Sequence, residues 1–257
     1  MSYLLVCMAA AAASALTFFS GFGLGTLLLP VFALFVPIDQ AVAFTAVVHF
    51  LNSMFKVVLV GRYAERSVVL RFGLPAIGAA IVGAWALQSL SHVQPLIRGE
   101  MLGRTVEVTP VKLAVGGLLL AFAVLEVTPL GRGMTFPARY MPLGGLLSGF
   151  CGGLSGLQGA LRSAFLLRVG LSKEAFIATG VVIACLVDIS RLGVYASSLA
   201  GSVSPQEGGL LGAAVAAAFM GTMLGNRFLR KTTMATVQRT VAVMLVVVAI
   251  GMITGIL

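Results

Sequence analysis

Apolar residues fill the chain in long runs, and polar positions come in short clusters between them. The runs extend from about Tyr3 to Val36, Gln40 to Val60, Val68 to Leu90 and Val111 to Val127. A second set follows in the same order: Met141 to Val169, Ala175 to Ala196, Gly208 to Phe228 and Met234 to Leu257. A helical membrane span needs about 20 mostly apolar residues, so nearly every run is long enough to enter a bilayer. The first run of each set carries a glycine cluster in its middle, Gly21 to Gly25 in one and Gly152 to Gly159 in the other. Glycine costs about 0.8–1 kcal/mol per residue inside a helix, so clusters at corresponding places predict two broken-helix hairpins whose tips meet near the middle of the membrane.

The shared element order predicts a duplicated unit in a single membrane domain, residues 1–133 and 134–257. Local similarity aligns Ser20-Gly21-Phe22 with Ser148-Gly149-Phe150, and Ala41 to Thr45 with Ala175 to Thr179. Charge then sets the topology. If each glycine-broken segment turns back, Arg62, Arg66, Arg71, Arg132, Arg139, Arg168, Lys173, Arg227, Arg230 and Lys231 fall on one side. Only Arg98, Arg104 and Lys112 fall on the other. If the segments cross once, the split is five against eight; ten against three is what the positive-inside rule expects. Both termini are therefore expected outside the cytoplasm. Each hairpin has two arms of about 16 residues, roughly 24 Å long at a rise of about 1.5 Å per residue. A hairpin plus three spans makes the two units inverted, an architecture of secondary transporters and some channels. The expected fold is all-α and polytopic.

Composition agrees with this reading, at 59% hydrophobic and 10% charged residues and a mean hydropathy of +1.07. No Lys or Arg precedes the first apolar run, so the N-terminal segment is expected to be retained and not cleaved as a secretory signal. The net charge of +9 comes from basic residues scattered between apolar runs, which argues against nucleic acid as a partner. Cys7, Cys151 and Cys185 lie in separate apolar runs at unrelated spacings. They predict neither disulfides nor a metal site. No catalytic triad, metal cluster or phosphate loop is present in the sequence, and no cofactor is expected.

Helix breaks inside a bilayer leave backbone groups that must line a cavity or meet a ligand. At the second tip Ser155, Gly156, Gln158 and Gly159 precede an arm whose N-terminal N–H groups favour an anion, with Gly153 beside them. Gly23, Gly25 and Thr26 hold the equivalent place in the first tip. Close helix packing is the competing explanation for such glycines. Arg162 lies eight residues before Gly170, roughly 12 Å deep, where an anionic substrate would use it; pairing with Asp188 or a carbonyl is the structural alternative. Asp188 and Arg191 are three apart on one face, which suits either a mutual ion pair or a coupling role.

His49 stands ten residues from Asp39, near the middle of the bilayer, with Asn52 and Ser53 one turn on. An unperturbed imidazole titrates near about 6.5, so His49 could carry a coupling proton or, as a neutral ring, hold a carbonyl. Lys56 is placed for a site role or for snorkelling to the interface. Thr45 and Thr179 match between the two units and face a cavity or bond back to their own helices.

With SGFGLGTLLLP, FTAVVHFLNSMFK and SGFCGGLSGLQGALRSAFLLRVGLSKEAFIATG in hand, the chain resembles the TauE/SafE sulfite exporter family, also called the 4-toluene sulfonate uptake permease group. Leu24 interrupts that family's triple-glycine tip in the first unit, and Leu157-Gln158 interrupts it in the second. The resemblance implies a carrier of the bacterial inner membrane for sulfite, an organosulfonate or a related carboxylate, working by alternating access around the two tips. The partners expected are a small anion, the lipid bilayer, a coupling proton or sodium ion, and a homo-oligomer. An anion channel with the same lining is the alternative. An intramembrane enzyme using His49 and Asp188 lacks a nucleophile or metal motif and is not expected.

Overall fold

The computed structural model describes residues 2–17, 24–101, 104–128, 135–228 and 234–257. Its elements in order are α1 (Ser2–Thr17), α2 (Leu24–Phe32), α3 (Ile38–Val60), α4 (Arg66–Ser91), β1 (Ile97–Met101), β2 (Arg104–Val108) and α5 (Pro110–Val127). They continue with α6 (Met141–Ser155), α7 (Gly159–Leu166), α8 (Lys173–Ser202), α9 (Pro205–Phe228) and α10 (Met234–Ile253). Short 3₁₀ turns at Gly61–Tyr63 and Ala138–Tyr140 close α3 and open α6.

Among the described residues, four helices are long and apolar enough to cross a membrane: α3 with its 3₁₀ extension, α4, α8 and α9. Large apolar side chains such as Val58, Leu74, Trp85, Met223 and Val247 point outward from the bundle, as a surface facing lipid requires. The molecule is a multi-pass membrane protein of all-α class.

Local chemistry fixes several helix starts. Thr109 accepts from Lys112 N at 3.3 Å ahead of Pro110, and Ser172 accepts from Ala175 N at 3.2 Å. Ser204 and Glu207 form a reciprocal box: Glu207 N donates to Ser204 Oγ, and Ser204 N donates to Glu207 Oε2.

Helix packing depends on glycine at two seams. Along α6, Gly145, Gly149 and Gly153 recur every four residues and lie against Phe72, Ala76 and Ala80 of α4. A Cβ at any of the three would sit 2.1–2.2 Å from the facing carbonyl oxygen. Gly83 of α4 returns the contact, with its Cβ direction 2.2 Å from Phe150 O. No side chain fits there, so the two backbones touch, the packing mode of small residues in membranes. The pair α1 and α9 does the same once, where Gly221 faces Ala11 O at 2.1 Å.

Two features depart from the sequence reading. The link between α4 and α5 is an antiparallel hairpin, with Ile97 paired to Val108 and Met101 to Arg104. Arg98 bridges Glu107 at 3.1 Å, and Glu107 N donates to Gly255 O at 3.4 Å. The second feature is the unequal length of the hairpin arms. α1 and α6 have 16 and 15 residues, close to expectation, but α2 and α7 have only 9 and 8. Those are roughly 12–14 Å at a rise of about 1.5 Å, under half of a hydrocarbon core about 30 Å thick. The second break is also later than expected, because Gly152 to Ser155 remain helical and the chain unwinds only over Gly156 to Gln158.

Candidate functional site

The unwound turn is built by its termini. Gly156 ends α6 at φ +80°, the left-handed region that favours glycine, and its N–H bonds back to Gly152 O at 2.9 Å. The last carbonyls of a helix can accept further hydrogen bonds, and α8 supplies two donors. Arg191 Nη1 donates to Gly152 O at 3.0 Å, and the Tyr195 hydroxyl donates to Gly153 O. Ser148 Oγ donates to Gln158 O at 2.8 Å, tying the far side of the turn to α6.

The start of α2 touches the unwound turn. A Cβ at Gly25, in the first turn of α2, would lie 3.0 Å from Gly156 O and 3.8 Å from Thr45 Cγ2. The first turn of α2 therefore reaches the unwound turn that joins α6 to α7.

Around this junction sits a buried charged cluster. Asp188 Oδ1 accepts from Gln158 Nε2 at 3.0 Å and from Arg191 Nε and Nη2 at 3.0 and 2.8 Å. Asp188 Oδ2 lies 2.5 Å from His49 Nδ1. The expected Asp188–Arg191 pair is present, with neither side chain exposed. Arg162 is 2% exposed, and its Nη1 donates to Gln158 Oε1 at 3.2 Å. Gln158 thus contacts both Arg162 and Asp188. Arg162 packs over Gly180 of α8, where a Cβ would come within 3.5 Å of Nε. Lys56 is also buried and within electrostatic range of Arg162. Among the described residues, the buried charged side chains are Lys56, Arg162, Arg191 and Asp188, three cations to one carboxylate.

Thr45, His49, Asn52 and Lys56 follow the i, i+4, i+7, i+11 spacing of one face of α3. Thr45 Oγ1 and Asn52 Nδ2 are buried without a hydrogen-bond partner. Such groups cost about 1–3 kcal/mol unless something meets them. Asn52 Oδ1 accepts from Thr222 Oγ1 at 2.6 Å and from Ser14 Oγ at 3.1 Å, joining α3 to α9 and α1.

Of the residues expected at a site, the structure gathers Gly25, His49, Gly156, Gln158, Arg162, Asp188 and Arg191 at the junction. Thr26 is buried in the first turn of α2, and Gly159 opens α7. Ser155 Oγ bonds back to Cys151 O at 2.9 Å. Gly153 faces α4 in the packing seam, its carbonyl held by Tyr195. Thr179 accepts from Glu65 N at 2.9 Å, joining α8 to the start of α4. Gly23 and the Ser20-Gly21-Phe22 alignment lie outside the described residues, while Ser148 to Phe150 fall within α6. Sequence reasoning missed Tyr195, Ser14 and Thr222; a tyrosine four residues after Arg191 was the one available signal, since that spacing puts both on one helix face.

An unwound turn inside an apolar bundle, touched by the start of a second short helix and surrounded by buried charged side chains, suits a membrane transport protein. A family model, Sulfite exporter TauE/SafE, matches residues 6–252, and the chain belongs to that family. Comparison with curated proteins and with solved structures finds no match.

Proposed function

We propose that the protein is a secondary carrier, not an enzyme, for a small anion: sulfite, an organosulfonate or a related carboxylate. The observation that carries this reading is the buried charge balance at the junction. Among the described residues, three buried cations, Lys56, Arg162 and Arg191, stand against one buried carboxylate, Asp188, which pairs with Arg191. Placing an arginine or lysine at bilayer depth costs about 2.5–3.5 kcal/mol on insertion scales, a cost that an anionic ligand offsets. The N-termini of α2 and α7 add partial positive charge beside the unwound turn. Asn52 Nδ2 and the Thr45 hydroxyl are donors available to the anion's oxygens.

Alternating access follows from two inverted repeats, residues 1–133 and 134–257. Leu24 and Gly159, which open the two short helices, are 135 residues apart, as are Ile38 and Lys173, which open α3 and α8. Packing supports the duplication: α1 on α9 and α6 on α4 become one another when the units are exchanged. Lys56 and Arg191 stand at the same position of α3 and α8. The charge split along the chain supports a bacterial inner-membrane setting with both termini outside. The gradient of a coupling ion would drive the transport cycle.

A panel of sulfite, methanesulfonate, taurine and acetate tests the reading by thermal shift on purified protein. A ligand at 100 times its Kd stabilises by about 2.7 kcal/mol. At least one of these anions should raise Tm while choline salts do not. No shift with any of them refutes the proposal.

A further inference from the structure

We propose that a cavity at one end of the bundle, apart from the junction, binds a small zwitterion: a short molecule with an ammonium group at one end and a carboxylate or sulfonate at the other. The cavity measures about 340 Å³, at the small end of the range for ligand pockets. It lies between the end of α2 and the start of α3, and it is bounded by Ser91 at the end of α4, by Thr109 and Lys112 at the start of α5, and by Met252 of α10. Ala33 at this cavity follows Gly25 at the unwound turn by eight residues. At a rise of about 1.5 Å that is roughly 12 Å, so the two places stand at opposite ends of α2.

Two opposite charges line the cavity without meeting. Asp39 stands in the first turn of α3, where a carboxylate often serves the helix start. Here its carboxylate forms no ion pair and accepts no hydrogen bond among the described residues. Lys112 is the charge of opposite sign. Its Nζ donates to Glu107 O at 2.8 Å, one of the three bonds an ammonium can make, so two N–H groups remain. The Glu107 carboxylate bridges Arg98 instead, at 3.1 Å. A hydroxyl on the wall accompanies the lysine: Thr109 Oγ1 accepts from Lys112 N at 3.3 Å, which leaves its O–H to donate. Ser91 Oγ donates to Leu87 O at 2.9 Å, which leaves its oxygen to accept.

This lining selects by charge. A simple anion is drawn to Lys112 and repelled by Asp39, and a simple cation meets the reverse. A molecule carrying both charges satisfies both walls, with its anionic oxygens on Lys112 and Thr109 and its ammonium on Asp39 and Ser91. Charge-assisted hydrogen bonds of this kind are the strong class. Val36, Val111 and Met252 offer apolar wall to the methylene groups between the two ends. A metal ion is poorly served, because Asp39 is the single carboxylate side chain among the lining residues.

The test is saturation-transfer NMR on the full chain in lipid nanodiscs, titrated with β-alanine and, separately, with propionate and ethylamine, which each keep one of its two charges. β-Alanine should saturate below about 10 mM, and each singly charged relative should bind on the order of tenfold more weakly. Asp39→Asn and Lys112→Gln should each raise the Kd for β-alanine on the order of tenfold, with the ligand-free Tm unchanged. If one variant fails to fold, the other decides. No saturable binding by about 10 mM, propionate binding as tightly as β-alanine, or a Kd unchanged in a folded variant would overturn the site. The outcome is separable from the carrier reading: a Tm rise with taurine alone that Asp39→Asn abolishes belongs to this cavity, whereas shifts with sulfite or methanesulfonate that survive Asp39→Asn belong to the junction.

Discussion

Replacing Arg162 should weaken anion binding without unfolding the protein, and the size of the effect follows from its surroundings. Its guanidinium is 2% exposed, so solvent screens it little. A unit charge about 4 Å from an anion contributes about 4 kcal/mol at an effective dielectric constant of about 20. Part of that is lost to desolvation of the partners, leaving about 2–3 kcal/mol for Arg162→Gln. At about 1.4 kcal/mol per decade, that is roughly a 30- to 150-fold rise in Kd. Arg162→Lys keeps the charge but loses the planar fork that meets two oxygens at once, worth about 1.5 kcal/mol or roughly tenfold. The assay is titration calorimetry with the tightest anion of the panel on purified variants, with membrane yield as the control for folding. The alternative is that Arg162 only holds Gln158 in place, through its 3.2 Å bond to Oε1. That account predicts lost yield and unchanged affinity in whatever protein survives. Unchanged Kd in well-folded Arg162→Gln would refute the reasoning.

Four further predictions concern folding and topology. Gly149→Ala places a Cβ 2.1 Å from Ala76 O, and should cost about 3 kcal/mol or more and collapse membrane yield. Gly117→Ala meets nothing within 4 Å, and should raise stability by about 0.5–1 kcal/mol in denaturant titration. Asp188→Asn removes the buried carboxylate that pairs with Arg191, so a loss of about 3–5 kcal/mol is expected, read as lower Tm and yield. In a cysteine-free background, Cys at position 66 should be protected from an impermeant thiol reagent in intact cells, and Cys at position 99 should be labelled.

The sequence exposed the parts of this fold that periodicity and composition control. Apolar runs located the helices within a few residues, because a bilayer imposes one length and one polarity on every span. The tip glycines were visible too, but not their division of labour. Gly156 terminates a helix with positive φ, whereas Gly145, Gly149 and Gly153 let α6 lie on α4, and both duties select the same residue type. The β-hairpin was illegible because Ile97 to Val108 is short and rich in charge, with Arg98 and Glu107 paired only once the strands are in register. His49, Asp188 and Arg162 could each be singled out as deep polar residues, yet their connection runs through Gln158 and spans three helices, which no spacing along the chain encodes. Arg191 and Tyr195 capping the end of α6 is likewise a tertiary fact.

The central claim is a carrier that alternates around the junction, and tracer counterflow in proteoliposomes tests it most directly. Vesicles preloaded with unlabelled sulfite should take up external radiolabelled sulfite faster than empty vesicles, with a rate that saturates as the external concentration rises. Flux that grows in proportion to concentration and ignores the internal anion would contradict the account and identify an open pore.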